Sequence, residues 1–367
     1  MIGYIVLYLL LFLLLYCARN FKVGSFLQLK QIDGRQHLLL NKSQFLLFLS
    51  FWILVFWGGL RGDISIDISR TYYRVFNYYN ETLLSHFDFL FRYIFSWIYE
   101  NTGRFQDFLF LTTAIYITCI YIGVFKGSKN PTYSILLFLL FDYYYGGLNQ
   151  IRQYLGMGFL LISIVLLQKM KYLASLGLIV IAGFFHSACF LFLIIFIADK
   201  VKLKIKAYTA ILMFSPILLL IARPLINYIF QIYAGGQYYI YITNPHLDYG
   251  VIGKFLIPFF KVWFLALIYL LVYKNITEIP GAYVYLNLLL VACVVSLFGM
   301  INSEVVRVVN LFLFPQIIFI VNSSKIFLQQ KITRYLFAFY IWIVFSYFVF
   351  STYTHAIDYP YEFLTFI

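Results

Sequence analysis

The residues with the clearest chemical potential in this sequence are charged side chains that follow a glycine-rich turn. Arg61, Asp63 and Asp67 come directly after the apolar stretch that ends at Leu60. Charges are rare in the chain, since only 11% of its residues are Asp, Glu, Lys or Arg. Ionised groups are costly to place at or inside a membrane, so these residues are candidates for a functional site. The alternative is a set of charges that anchors a helix end among lipid headgroups.

Four further groups of polar residues lie at the predicted ends of apolar stretches. They are Asn149, Arg152 and Gln153; His186; Arg223; and Glu304 with Arg307. Arginines among few acids suit a doubly charged pyrophosphate, because a guanidinium can donate two parallel hydrogen bonds to it. A histidine or a carboxylate can accept a proton from a sugar hydroxyl. Together, these residue types indicate glycosyl transfer from a donor carried on a lipid pyrophosphate.

Each of these groups also has a structural interpretation. Arg152 is predicted in the first turn of a helix, where free N–H groups favour an anion, and is equally consistent with a snorkelling side chain on a glycine-packed helix. His186 stands alone in an apolar setting, as ordinary structural histidines do. Glu304 and Arg307 are spaced as a structural ion pair on one helix face would be.

Composition establishes the class of protein. The chain is 63% hydrophobic and 22% aromatic, with a mean hydropathy of +0.88. Such a chain is a polytopic membrane protein, and its fold class is predicted to be all-α. The four cysteines lie in apolar runs at spacings that imply neither disulfides nor a metal site. Arginines flank Asp63 and Asp67, which disfavours a cation there, so we expect no metal.

The apolar stretches predict about 11–12 transmembrane helices in a single integral membrane domain, 1–367. The predicted spans are 2–17, 38–60, 106–125, 132–148, 151–168, 172–186, 187–198, 207–222, 253–274, 281–300, 303–323 and 334–353. The pair at 172–198 is predicted to be two short legs joined by a turn near Gly183–His186. A single helix there would separate two basic clusters that belong on the same side.

The net charge of +13 is explained by topology. With these spans, the basic clusters fall in alternate loops, so the positive-inside rule places those loops in the cytoplasm and both termini outside. The charge therefore indicates contact with anionic membrane lipids and excludes nucleic acid as a partner. The same topology brings the polar groups named above to the outer face.

Two long outer loops are predicted, at 61–105 and at 223–252. The first contains an apolar segment, Leu83–Glu100, in which polar residues recur every three to four positions. We interpret it as an amphipathic helix on the outer surface, with Asp88 and Arg92 paired at i, i+4. The second loop is rich in Tyr, Asn, Gln and Gly, which suits either sugar binding or an aromatic belt at the membrane interface.

Four stretches of the chain carry motifs in a fixed order. They are LRGDISIDISRTYYRVF (Leu60–Phe76), NQIRQYLGMGFLLIS (Asn149–Ser163), FFHSACFLF (Phe184–Phe192) and EVVRVVNLFLF (Glu304–Phe314). In these motifs the chain resembles the EpsG / Wzy-type family of bacterial polysaccharide (O-antigen) polymerases, most specifically in N-x-x-R-Q and F-H-S. The first stretch departs from the family's pattern, so the acidic role there falls to either Asp63 or Asp67.

The resemblance implies a GT-C-like glycosyltransferase of the hexosyltransferase type in the bacterial inner (plasma) membrane, with its active site facing the periplasm. It implies transfer of a growing glycan from undecaprenyl pyrophosphate to the non-reducing end of another undecaprenyl-pyrophosphate-linked repeat unit. The implied partners are those lipid-linked oligosaccharides, and a chain-length regulator and a flippase of the same lipopolysaccharide or polysaccharide pathway. No nucleotide sugar, metal or cofactor is implied.

This expected function gives each candidate residue a role. The predicted pyrophosphate-binding residues are Arg61, Arg152, Arg223 and Arg307. The predicted catalytic residues are Asp63, His186 and Glu304. Asp63 or His186 is expected to act as the general base, and Glu304 to orient an arginine or the acceptor. The residues expected to bind the rest of the substrate are Asp67, Asn149 and Gln153.

Three other functions compete with polymerisation. An O-antigen ligase would use the same donor but transfer the glycan to lipid A–core. A non-enzymatic flippase or transporter of lipid-linked oligosaccharides would carry charges near the bilayer midplane and two related halves, whereas these charges gather at one face and we detect no repeat. A structural scaffold for a polysaccharide complex would leave so many outward arginines unexplained.

Overall fold

The structure is a computed structural model that describes residues 2–18, 27–32, 35–40, 42–62, 67–79, 84–217, 259–298 and 304–358. The chain divides into two compact units, one formed by Met1–Leu191 with Phe345–Ile367 and the other by Phe192–Val344. The prediction of a single membrane domain stays a prediction.

The elements up to Ile194 come first in the chain, and all but the last three of their residues belong to the first unit. In chain order they are α1 (Ile2–Cys17), β1 (Leu27–Ile32), β2 (Arg35–Leu40), α2 (Lys42–Gly59), a π-helix (Asp67–Tyr73), α3 (Arg74–Tyr78), α4 (Phe89–Thr102), α5 (Phe105–Gly127), α6 (Pro131–Leu140), α7 (Tyr143–Asn149), α8 (Ile151–Gln168), α9 (Tyr172–Phe185) and a 3₁₀-helix (Ser187–Ile194). The two strands form an antiparallel hairpin in which Leu27 faces Leu40 and Ile32 faces Arg35.

The remaining elements are helical. They are α10 (Ile195–Lys200), α11 (Ile205–Ile217), a second π-helix (Phe259–Trp263), α12 (Phe264–Leu271), α13 (Tyr273–Ile276), α14 (Ala282–Phe298), α15 (Glu304–Leu313), α16 (Gln316–Gln329) and α17 (Lys331–Asp358). The last helix ends in the first unit, because residues from Phe345 onward belong to that unit.

The all-α polytopic class is confirmed, with the hairpin of β1 and β2 as an addition among the described residues. By length and composition, α2, α5, α8 and α17 can each cross a membrane, and α15 with α16 makes five if that pair, bent by 46°, is one span. The other apolar helices in the described part of the chain are 10–17 residues long. The total of 11–12 spans, the orientation of the chain and the outer loops at 61–105 and 223–252 stay predictions.

Helix α8 forms the centre of the first unit. In its most apolar window, 72% of the residues are buried, against 22% for α17. It packs between α5 and α9 through small residues, which let helix backbones approach closely where lipid offers no hydrophobic driving force. A Cβ on Gly158 would lie 2.9 Å from Cβ of Cys119 on α5. The predicted span 151–168 therefore coincides with the most buried of the four helices that are long enough to cross a membrane.

Two breaks in the predicted spans have a clear local cause. The stretch 132–148 divides into α6 and α7 at Asp142, which has a left-handed backbone with φ +65°. The Asp142 carboxylate accepts a hydrogen bond of 2.7 Å from the Ser351 hydroxyl, which lies on the part of α17 within the first unit. The stretch 303–323 divides at Phe314–Pro315, because proline lacks the N–H needed to continue a helix.

Helix α14 lies at the core of the second unit, where amide side chains hold the backbone of neighbouring segments. Asn287 donates hydrogen bonds of 2.8 Å to the carbonyls of Ala198 and Val201. Gln316 donates to the Tyr285 carbonyl at 2.8 Å and accepts from the Tyr269 hydroxyl at 3.2 Å. These bonds satisfy polar groups that would be costly to bury alone.

The contact between α8 and α9 gives a first testable prediction. A Cβ on Gly156 would lie 2.5 Å from the Cys189 sulfur and 3.1 Å from the Ala182 carbonyl oxygen. Gly156→Ala should therefore push α9 away and destabilise the protein by about 1–3 kcal/mol. The matched control is Gly177→Ala on α9, where a Cβ meets nothing within 4 Å. Thermal unfolding in detergent checks this, and equal midpoints for the two variants would contradict it.

Candidate functional site

The guanidinium of Arg152 is held by the loop before α4. Its Nη1 donates to the His86 carbonyl at 3.3 Å and lies 3.5 Å from Oδ2 of Asp88. Its Cζ lies over the Phe87 ring, 5.0 Å from the centroid, and 5.9 Å from that of Phe91. The side chain of Arg152 is 26% exposed, so it is accessible in part from outside the cluster.

Asp88 connects three segments that are distant in sequence. Its Oδ1 accepts a hydrogen bond of 3.1 Å from the Ser187 N–H at the start of the 3₁₀-helix. Its Oδ2 faces both Nη1 of Arg152 at 3.5 Å and Nδ1 of His186 at 3.7 Å. Asp88 precedes α4 but makes no side-chain cap to it. One carboxylate thus joins the loop before α4, the start of α8 and the end of α9.

The ionisation of Asp88 follows from these neighbours. Burial alone would raise the pKa of Asp88, but the interactions with His186, with Arg152 and with the Ser187 N–H all favour the carboxylate. The net effect lowers the pKa of Asp88 below its ordinary value. The group is therefore negatively charged at neutral pH.

His186 occupies the junction between α9 and the 3₁₀-helix. Its backbone is extended, with φ −156° and ψ 114°, which ends α9 at Phe185. Its N–H donates to the Ala182 carbonyl and its own carbonyl accepts from the Cys189 N–H, at 2.9 and 2.8 Å. The helix is thus interrupted within the stretch Gly183–His186 where a turn was predicted, and the arrangement of 172–198 as two legs stays a prediction. The imidazole is 27% exposed, so the ring is accessible and fixed at its base by backbone bonds.

The prediction that Asp88 pairs with Arg92 was wrong. The sequence predicted one helix over Leu83–Glu100. In the structure α4 begins at Phe89, so Asp88 lies before the helix. Its ion pairs are with Arg152 and His186, while the side chain of Arg92 is exposed. Helix α4 itself has one buried face, formed by Phe91, Phe95 and Ile98.

Tyr72 links the π-helix to this cluster. The side chain is 4% exposed, and its ring lies 5.5 Å from that of Phe91. Burial raises the pKa of Tyr72, the positive charge of Arg152 opposes that shift, and the carboxylate of Asp67 adds to it. The charges of Asp67, which begins the π-helix, and of Arg152 therefore both act on the Tyr72 hydroxyl. Its role in substrate binding stays a prediction.

Arg61 is placed differently from Arg152, because it is fully buried. Its Nη1 donates to the Gly58 carbonyl and, at 2.8 Å, to the Thr113 hydroxyl, and its Nη2 donates to the Leu148 carbonyl at 3.2 Å. Gln106 donates to the Arg61 carbonyl at 3.0 Å. Arg61 thus ties the end of α2 to α5 and α7. These contacts give Arg61 a structural role, and its binding of the pyrophosphate stays a prediction.

Asn149 and Gln153 lie on either side of the junction between α7 and α8. Asn149 is the last residue of α7, and its buried Oδ1 has no hydrogen-bond partner in the described part of the chain. Gln153 is 4% exposed in the first turn of α8, as predicted for a helix start there. Both flank Arg152 in sequence, and their substrate-binding roles stay predictions.

Four of the predicted site residues either lie outside the described residues or belong to the second unit. Asp63 and Arg223 lie outside the described residues. Glu304 begins α15, with its side chain outside the described part, and Arg307 is half-buried on the same helix. Helix α15 belongs to the second unit, whereas Asp88, Arg152 and His186 belong to the first.

Asp88 was not predicted from the sequence as a site residue. The only signal available was an acid at the edge of an apolar segment, which had a nearer candidate partner at i, i+4. Its actual partners come 64 and 98 residues later in the sequence. Among the described residues, no group of three or more His, Cys, Asp or Glu is arranged to hold a metal ion.

Comparison with known proteins identifies the family. A model of the EpsG family matches residues 44–363, which is nearly the whole chain and includes Asp88, Arg152 and His186. No curated protein and no solved structure matches the sequence. The family match covers all the motifs that suggested it. The chain therefore belongs to the EpsG family.

Proposed function

We propose that this protein is a polymerase of lipid-linked oligosaccharide repeat units. Its family supports a polysaccharide polymerase-type function, and its apolar helices support a membrane location. The finer proposal is that a growing glycan passes from undecaprenyl pyrophosphate to the non-reducing end of another undecaprenyl-pyrophosphate-linked repeat unit. The reaction takes place on the periplasmic side of the bacterial inner membrane.

The observation that carries the proposal is the convergence of Arg152 and His186 on one carboxylate. A cation for the leaving pyrophosphate and a base for the acceptor hydroxyl are the two groups that this transfer needs. Both side chains are about one-quarter exposed, at 26% and 27%. Both belong to motifs that suggested the family, N-x-x-R-Q and F-H-S.

The chemistry balances with these two groups. The acceptor hydroxyl oxygen forms a bond to the anomeric carbon of the donor glycan, and the bond from that carbon to the pyrophosphate oxygen breaks. The electron pair of the broken bond leaves with undecaprenyl pyrophosphate, whose added charge Arg152 stabilises. The hydroxyl proton passes to His186. Most of the rate enhancement comes from positioning the two lipid-linked substrates and from charge stabilisation.

A gel of surface glycan from a strain that lacks this gene tests the function. Without the gene, glycan should carry a single repeat unit, and the restored wild-type gene should return a ladder of longer chains. Lipid-linked polymer that never reaches its final acceptor would show a ligase instead. Repeat units retained on the inner leaflet would show a flippase.

A further inference from the structure

We propose that Asp88 is a positioning residue of the transfer reaction, acting through His186. This inference rests on the proposed function and adds a residue to it. The carboxylate is 18% exposed and is fixed from one side by the Ser187 N–H at 3.1 Å. Because Oδ1 is occupied there, Oδ2 is directed toward Nδ1 of His186 and Nη1 of Arg152.

The orientation of the imidazole decides which nitrogen can act as a base. A carboxylate beside Nδ1 favours the tautomer that carries its hydrogen on Nδ1, which leaves the lone pair on Nε2. Nδ1 of His186 is 3.7 Å from Oδ2 of Asp88, and such contacts commonly shorten when substrate binds. In this arrangement Nε2 is the nitrogen that accepts the proton of the acceptor hydroxyl.

The position of Asp88 also matters for the state after proton transfer. The protonated His186 faces the carboxylate of Asp88 on one side, with the guanidinium of Arg152 beside the same oxygen. Without Asp88, the protonated imidazole and the guanidinium would lose the one carboxylate that the described contacts place against both of them. Asp88 therefore lets a base that becomes cationic lie next to the arginine that holds the leaving group.

A double-mutant cycle in purified protein tests this role. The substrate is the polyprenyl-pyrophosphate-linked repeat unit extracted from the strain that lacks this gene. Asp88→Asn keeps an oxygen for the Ser187 N–H but removes the charge, and should lower kcat about 100-fold with less than about a threefold change in KM. In the His186→Ala background, Asp88→Asn should change the remaining rate less than about threefold.

The matched control is Asp107→Asn. Asp107 forms a bidentate pair with Arg104 near the start of α5, with two hydrogen bonds of 3.0 Å. This pair shares no partner with the cluster of Asp88, Arg152 and His186 in the contacts given above. This variant should keep the wild-type rate. If Asp88→Asn fails to accumulate in the membrane, Asp88→Glu serves in the same cycle, because it keeps the charge while moving the carboxylate.

The outcomes separate this inference from the proposed function. An equal rate loss on changing Asp88 in both backgrounds, or no loss at all, would overturn the positioning role while leaving the polymerase intact. A purified wild-type protein that makes no polymer from lipid-linked repeat units would overturn the polymerase, and with it this assignment. A loss that disappears when His186 is absent supports the inference.

Discussion

Arg152→Ala should abolish polymer formation while the protein still reaches the membrane at its normal level. Loss of a single donor to a developing oxyanion costs about 10²–10³ in rate, and Arg152 would supply a full charge as well. The cost to folding should be small, because the side chain is partly exposed and its pair with Asp88 is 3.5 Å long. The measurement is the ladder of surface glycan, together with the amount of protein in the membrane.

Two further arginine variants sharpen that result. Arg152→Lys keeps the charge but loses the fork that grips a phosphate with two donors, so a partial loss of polymer is expected. Arg104→Ala is the control, since Arg104 is 66% exposed and its partner is Asp107. Wild-type ladders from Arg152→Ala would remove Arg152 from the site.

Arg61→Ala should instead lower the amount and stability of the folded protein. The change would leave the Thr113 hydroxyl and the carbonyls of Gly58 and Leu148 without their donor in a buried setting. Each lost partner of that kind costs about 1–3 kcal/mol, so a total of about 3 kcal/mol or more is expected. Thermal unfolding in detergent and the level in membrane fractions measure it.

Comparing Arg61→Ala with Arg152→Ala tests whether both arginines bind the pyrophosphate or whether Arg61 has a structural role instead. From sequence alone, all four arginines are predicted to bind the pyrophosphate, and replacing any residue with that role alone should abolish activity and leave the protein level unchanged. Burial separates Arg61 from Arg152 in this respect. An Arg61→Ala protein with a normal level and midpoint but no activity would restore the sequence-based expectation. Arg61→Lys should give a membrane level and an unfolding midpoint between those of the wild type and Arg61→Ala, because an ammonium cannot donate to all three acceptors at once.

The sequence predicted the elements of the fold well where periodicity and apolar length decide the structure. The span 151–168 matches α8, and α9 ends at Phe185, within the stretch Gly183–His186 where an interruption was predicted. The hairpin was missed, although Asp33 and Gly34 between its strands form a common two-residue turn signal. The break at Asp142 was missed too, since a single acid is compatible with an uninterrupted hydrophobic run.

The candidate site was predictable only in part. Arg152 and His186 could be proposed individually because an intramembrane charge or a lone histidine is conspicuous in so apolar a chain. Their common contact with Asp88 could not, because the pairing depends on how α4, α8 and α9 pack. The i, i+4 spacing favoured Arg92 as the partner of Asp88, whereas in the tertiary structure its partners are Arg152 and His186.

The return of the chain to the first unit at Phe345 has a consequence for biosynthesis. Asp142 accepts its hydrogen bond from Ser351, which is 209 residues further along the chain. During co-translational insertion, the acid therefore enters the nascent assembly long before the ribosome has made its partner. The hydrogen bond between Asp142 and Ser351, and with it this closure of the first unit, therefore forms only after α17 has been synthesised.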